Sequence, residues 1–221
     1  MTVTIEEELI LEKNYSSFLD SKRIRSEASG FEVNSVSPVL YDFQADIVKW
    51  ALRRGRAALF EDCGLGKSLQ QLEWARHVSQ FGPVLIVAPL SVAEQTIGEA
   101  SKLGMVIDFV ERASGMGSGV HITNYEMLHH FLGVQAAGIV LDESSILKSI
   151  DGETKKFLIE NFTHIPYRLC CTATPCPNDI AELANHSAFL GILQRTDMLA
   201  AFFVHDQDAW RMRGHAAKPF Y

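Results

Sequence analysis

RAALFEDCGLGKSLQQLEWA, residues 56–75, runs from an apolar segment through two glycines into a helical pattern. A standard phosphate-binding loop reads G-x-x-x-x-G-K-[ST]. Here Glu61 stands where the first glycine belongs. Lys67 sits where the helix should begin, and a cation at a helix N-terminus opposes the macrodipole. A bound anion would reverse that cost. Gly64 and Gly66, with Leu65 between them, free the backbone amides to turn inward around phosphate oxygens. Lys67 can then reach β- and γ-phosphates, and the Ser68 hydroxyl can ligate Mg²⁺. The competing reading is a turn that happens to read GKS.

Outward from this stretch, short apolar runs alternate with helical patterns. The runs are Ala57–Phe60, Val84–Ala88, Val106–Val110, Val120–Thr123, Gly138–Leu141 and Leu169–Thr172. Most lack period-two alternation, as expected of strands buried on both faces. The fold class predicted is α/β, a mostly parallel sheet sandwiched by helices, whose chemistry sits at the carboxyl ends of the strands. Phe43, Ile47 and Ala51 predict a helix over Asp42–Arg54, with Arg53 and Arg54 in its last turn and Gly55 ending it. Leu11, Tyr15, Phe18 and Leu19 can line one side of a helix in a partly helical N-terminal extension. SEASGFEVNSVSP, residues 26–38, reads as a connector.

The run AGIVLDESS ends in Asp142 and Glu143, two acids that are costly at the end of an apolar strand unless a cation meets them. A solvated strand-to-loop turn is the plainer alternative. Net charge is −7 over 221 residues, which argues against a whole surface built to grip nucleic acid but leaves room for a local groove. No apolar run approaches the ~20 residues of a membrane span. The acidic N-terminus MTVTIEEELILEK does not suit a secretory signal. A reducing cytoplasm is expected, with no membrane partner. Cys170, Cys171 and Cys176 lack C-x-x-C spacing and Cys63 stands apart, so buried strand cysteines are expected rather than zinc.

The order of these blocks resembles the first RecA-like lobe of superfamily 2 helicases, nearest the Swi/Snf-type translocases. Glu61-Asp62-Cys63-Gly64-Leu65-Gly66-Lys67-Ser68 is similar to that group's D-E-x-G-L-G-K-[ST], so the missing glycine is the family's own variant. LYDFQADIV resembles its upstream glutamine element, which implies that Gln44 reads adenine. VLIVAPLSVAEQT resembles motif Ia, where Ser91 and Glu94 also spell an S-x-x-E capping box. HITNYEML resembles motif Ib. Ser91, Thr123 and Asn124 are thereby candidate nucleic-acid phosphate contacts, although Ser91 can equally be a helix cap. IVLDESSILKS resembles motif II, which implies Asp142 as Mg²⁺ ligand and Glu143 as the acid that polarises water. CCTATPCPN resembles motif III, and Thr172 and Thr174 are expected on one side of a strand, coupling nucleotide to nucleic acid. Many relatives read D-E-A-H; here Ser145 stands at the fourth position, over a shorter reach. DESSILKS and FFVHDQDAWRMRGHA also resemble a subgroup found in phages and prophages, implying a bacterial or phage-infected cell.

The resemblance covers roughly residues 38–190. It implies an extension and connector over 1–37, a RecA-like P-loop lobe over 38–192, and a helical, basic tail over 193–221. That tail carries Arg211, Arg213, His215 and Lys218 and is too short for the second lobe with its arginine finger. The activity implied is that of an ATP- and Mg²⁺-binding motor lobe of a DNA-dependent ATPase, weak in hydrolysis by itself, with DNA favoured over RNA as partner. A nucleotide-binding interaction module working through a partner chain is the alternative.

Overall fold

A computed structural model of the protein describes residues 28–148, 152–206 and 209–214. The helical pattern expected around Tyr15 and the terminal His215 and Lys218 lie outside the described residues. Helix α1 (Asp42–Arg54) leads into β1 (Arg56–Phe60), α2 (Lys67–Val78), β2 (Val84–Ala88) and α3 (Leu90–Ala100). Then come β3 (Asp108–Phe109), β4 (Val120–Asn124), β5 (Gly138–Asp142), α4 (Glu153–Phe162) and β6 (Tyr167–Thr172). The six strands form one parallel sheet in the order β1-β6-β5-β2-β4-β3.

The apolar runs lack alternation because both faces of the sheet are covered. Ala57, Leu59, Ile86, Val140, Leu169 and Cys171 pack with α1, α2 and α3, around fully buried Leu72, Trp74 and Val78. The intervening Leu85, Val87, Ile139, Leu141 and Cys170 face the other way, onto Phe131, Leu158, Phe162 and Phe189. Each such large side chain taken from water contributes about 1.5–3 kcal/mol. The third expected run, Val106–Val110, shortens to Asp108–Phe109, an edge strand with a single neighbour, and Val106 stands exposed. Of the cysteines only Cys170 and Cys171 are buried strand residues; Cys63 is exposed in a loop and Cys176 lies past β6.

The connector is part of the domain from Ser29 onward rather than a linker ending at residue 37. Backbone amides of Ser29, Gly30 and Phe31 donate to the carbonyls of Arg54, Arg53 and Leu52, closing the C-terminus of α1. A Cβ on Gly30 would fall 1.8 Å from the Leu52 carbonyl oxygen, so only glycine permits this approach. Phe31 then meets Phe81 and Tyr167 edge-on.

After β6 come α5 (Leu183–Leu190) and α6 (Arg195–Phe202). The tail expected to be helical and basic contains instead, beyond α6, an antiparallel pair, β7 (Phe203–Asp206) and β8 (Ala209–Met212). Phe203 is fully buried beside Met198 and Leu199, and the Arg213 guanidinium donates to the Phe203 carbonyl at 2.9 Å. Burial of this aromatic outweighs continuation of the helix. Among the described residues no helix is long and apolar enough to cross a membrane.

Glu73, fully buried on α2, ties the connector to the core. It accepts from the Ser37 amide at 2.8 Å and pairs with Arg76 and His77. Burial alone would raise its pKa, but the bonds from His77, Arg76 and Ser37 hold it down to about 2, from 4.5. A depressed carboxylate pKa contributes stability that is complete above the unfolded value and is lost as pH falls toward the folded one. We expect wild type to lose stability between pH 5 and pH 2 by an amount on the order of 3 kcal/mol more than Glu73→Gln does. Urea unfolding at a series of pH values checks this; parallel pH curves for the two proteins would refute it.

Candidate nucleotide-binding site

The site lies where β1, β5 and β6 end. Residues 61–66 form the turn from β1 into α2, with Gly64 at φ 86° and Gly66 at φ 81°. Gly66 is the residue preceding the helix, and Lys67 is its first residue. The Lys67 ammonium arches back over the turn and donates to the carbonyls of Glu61 (2.7 Å) and Asp62 (3.0 Å). Two buried glutamines fasten the turn from beneath. Gln44 Nε2 donates to the Leu65 carbonyl at 2.8 Å, and Gln70 Nε2 reaches both that carbonyl and Glu61 Oε2. Glu61, in place of the first glycine, is therefore an anchor for the loop. A Cβ on Gly66 would stand 2.3 Å from Gln44 Nε2, so the glycine is needed for space as well as for its dihedral angle.

Both ends of the Gln44 amide are engaged, because Oε1 also accepts from the Tyr41 amide at 3.0 Å. It stands beside the loop as expected, but within this arrangement it is a brace. Ser68 is half-buried in the first turn of α2, next to Lys67.

Asp142 ends β5 with 6% of its surface exposed. Gln71 Nε2 donates to its Oδ2 at 3.0 Å, and the Glu143 amide donates to its Oδ1 at 3.0 Å. The Tyr125 hydroxyl fixes its backbone carbonyl at 2.7 Å. Burial raises the Asp142 pKa above the usual carboxylate range and the Glu143 charge adds to this; the Gln71 and Glu143-amide bonds and the Lys67 charge act against it. Lys67 and Asp142 thus belong to one electrostatic site. Glu143 follows in the left-handed region, φ 52°, a conformation that costs a non-glycine residue on the order of 1–2 kcal/mol. Its Oε2 accepts from the Thr172 hydroxyl at 3.3 Å.

Four expectations change. Thr172 is the last residue of β6, so Thr174 lies beyond the strand and not on its face; its amide donates to Thr172 Oγ1 at 3.1 Å. The link from the acidic pair to this segment runs through Glu143, whereas Ser145 borders a cavity of 440 Å³ with Pro89, Asn124, Glu143 and Lys148. Helix α3 begins at Leu90 with Pro89 as its cap, so the Ser91–Glu94 capping box does not form and Ser91 is an exposed first-turn residue. Proline's fixed φ and missing N–H make it a natural helix boundary. Thr123 is fully buried in β4 and cannot reach a phosphate, whereas the Asn124 oxygen accepts from the Met127 amide and the residue borders that cavity.

Gln70, Gln71, Tyr125, Ser144 and His186 are the site residues that sequence reasoning missed. The one available signal was the pair Gln70-Gln71, two amides at helix positions that pack inward.

The profile of the SNF2-related domain matches residues 43–202 of this chain. The DNA annealing helicase and endonuclease ZRANB3 of Mus musculus is 29% identical over 162 residues, covering 65% of this chain and 15% of that protein. The SWI/SNF-related matrix-associated actin-dependent regulator of chromatin subfamily A-like protein 1 of Xenopus tropicalis is 28% identical over 155 residues, 65% of this chain and 16% of that one. Among solved structures, the Sulfolobus solfataricus SWI2/SNF2 ATPase core in complex with dsDNA superposes with a TM-score of 0.65 at 24% identity, over 78% of this chain and 40% of that one. The UvsW helicase of bacteriophage T4 gives 0.54 at 15% identity, over 83% and 66%. These place the fold as RecA-like. The chain spans less than a fifth of the length of these curated relatives.

A buried carboxylate with a raised pKa destabilises the fold at neutral pH, so neutralising Asp142 should stabilise the ligand-free chain. Gln71 can adapt, because its Oε1 has no partner and a flip of its amide would let it accept from a new N–H donor. Asp142→Asn is therefore expected to raise the Tm of the ligand-free chain by a few degrees. Calorimetry of ligand-free wild type and variant checks this; a lower Tm in the variant would contradict it.

Proposed function

The chain belongs to the SNF2-related family, and we propose that it is the ATP-binding lobe of a DNA-dependent motor ATPase. The observation that carries this reading is the meeting of Lys67, at the first turn of α2, with Asp142 and Glu143 at the end of β5. A cation at a helix start and an unneutralised buried carboxylate both become favourable once a phosphate–metal pair lies between them.

The residues suit magnesium. Asp142 and Ser68 offer oxygen donors of the hard type that Mg²⁺ takes, and among the described residues Asp142 has no ion-pair partner. Mg²⁺ held there would supply neutralisation of the charge developing on the phosphates. The amides of residues 64–67 cradle the phosphate oxygens. Lys67 exchanges its bonds to the Glu61 and Asp62 carbonyls for bonds to phosphate. Glu143, oriented by Thr172, positions the attacking water and takes its proton. Gln44 braces the loop and would read adenine only by giving up its bond to Tyr41 or Leu65.

DNA is the proposed track, through phosphate contacts near Ser91 and Asn124, where β2 and β4 end. The relatives support this, one being a DNA annealing helicase and endonuclease and one an ATPase core in complex with dsDNA. An arginine finger, worth about 10³–10⁵ in rate in other P-loop enzymes, is expected from a second lobe. Arg213 is an unsuitable source, since its guanidinium already serves the Phe203 carbonyl. The isolated 221-residue chain should therefore bind Mg-ATP, hydrolyse it very slowly, and bind duplex DNA weakly with strong salt dependence.

Fluorescent adenine-nucleotide titration tests the reading. Lys67→Ala should weaken binding strongly, and unchanged affinity would overturn the assignment. Glu143→Gln should keep nucleotide affinity and lose turnover by about 10²–10⁴-fold in single-turnover assays. Full turnover in that variant would assign the water to another residue.

A further inference from the structure

Glu143 is the non-glycine residue with positive φ among those described, and such a conformation persists only where its surroundings fix it. Local bonds supply part of the restraint: the Glu143 amide donates to Asp142 Oδ1, and the Ile146 amide donates to the Glu143 carbonyl at 3.2 Å. These act within the turn itself. Besides the Thr172 hydroxyl on the Glu143 carboxylate and the bond between Ser144 and the Cys170 thiol, the restraint from outside comes from two adjacent residues of α5. Asn185 Nδ2 donates to the Leu147 carbonyl at 2.8 Å, and His186 Nε2 is 3.1 Å from Ser144 Oγ. Asn185 and His186 are 1% and 2% exposed, so neither bond faces competition from water. Together they grip both ends of the 3₁₀ turn Ser144–Lys148 that follows the acid.

We infer that His186 is a positioning residue for Glu143: through Ser144 it holds the turn after β5 in the conformation that aims the Glu143 carboxylate at Thr172. The ring is itself fixed. It stands edge-on to Phe60, centroids 5.2 Å apart, at the end of the strand that feeds the phosphate loop. Burial holds its pKa down to about 4, against the backbone carbonyls of Glu182 and Ser144, so it is a neutral hydrogen-bonding ring at physiological pH. The imidazole therefore joins three elements of the site: β1 before the loop, the turn after β5, and α5. It touches no reacting atom, and its role rests on the reading of Glu143 as the water-positioning acid.

The test compares His186→Ala, His186→Gln, Ser144→Ala and Cys170→Ala with wild type in the 221-residue chain. Amide hydrogen exchange over residues 143–148 reads the turn, fluorescent adenine-nucleotide titration reads the phosphate loop, and single-turnover hydrolysis reads Glu143. In His186→Ala, exchange over the turn should rise about tenfold or more while β2 and β4 keep their protection. Hydrolysis should fall with nucleotide affinity little changed. A glutamine amide can put Nε2 near the imidazole position, so His186→Gln should restore protection and rate together. Ser144→Ala leaves the ring in place and should loosen the turn as His186→Ala does, whereas Cys170→Ala, which removes only the thiol on Ser144, should not; this pair decides the matter if His186→Ala fails to fold. Unchanged protection in both His186→Ala and Ser144→Ala, a turn loosened as much by Cys170→Ala, or His186→Gln as loose as His186→Ala, would overturn the inference. Failure of wild type to bind nucleotide would overturn the proposed function instead, and the exchange data would still decide whether His186 holds the turn.

Discussion

Asp142 is a carboxylate placed at the end of a fully buried strand, with an amide from Gln71 rather than a cation against it. That arrangement is unfavourable in isolation, and the rest of the site is organised around it. The parallel sheet brings β5 beside β6 and, one strand further, β1, so the acid faces the turn that starts α2. The helix start presents Lys67 with its charge directed against the dipole. Each charge is a local cost, and the proposed ligand, a metal-bound phosphate chain, would relieve both.

The supporting residues hold this unfavourable pair in register. Gln44 and Gln70 bind the Leu65 carbonyl, which keeps the loop open around Gly66. Tyr125 fixes the Asp142 backbone from β4's end, and α5 fixes the turn that follows. None of these contacts is a salt bridge, and all are buried or partly buried amide, hydroxyl or imidazole hydrogen bonds. Such bonds give modest net stability but strong geometric definition, because leaving one partner unmet in the interior is expensive. The stabilising weight comes from elsewhere, from the two apolar layers around Trp74 and Phe162 and from the Glu73 anchor on the connector.

Most of the sheet was legible in the sequence because burial on both faces leaves uninterrupted apolar runs, as in Val84–Ala88. Helix α1 was legible from its spacing and from Gly55, and the phosphate loop from two glycines and Lys67. What the sequence hid has physical reasons. Helix α3 starts at Leu90 because Pro89 sets the boundary, overriding the plausible cap at Ser91. Strand β3 is cut short by its edge position. Thr174 leaves the strand because the chain turns after Thr172. Gln71 with Asp142 and His186 with Ser144 are 71 and 42 residues apart in sequence. A polar side chain buried for a distant partner has no local signature, and His186 sits in an apolar helix that reads simply as core.

The most direct measurement is a crystal structure of the chain with Mg²⁺ and a non-hydrolysable ATP analogue. The account predicts phosphates in the turn of residues 61–67, with Lys67 Nζ released from the Glu61 and Asp62 carbonyls onto phosphate oxygen. It also predicts the metal beside Ser68 and Asp142, with Glu143 still held by Thr172. A nucleotide bound elsewhere, or bound while Lys67 keeps both carbonyls and Asp142 remains without a cation, would contradict it.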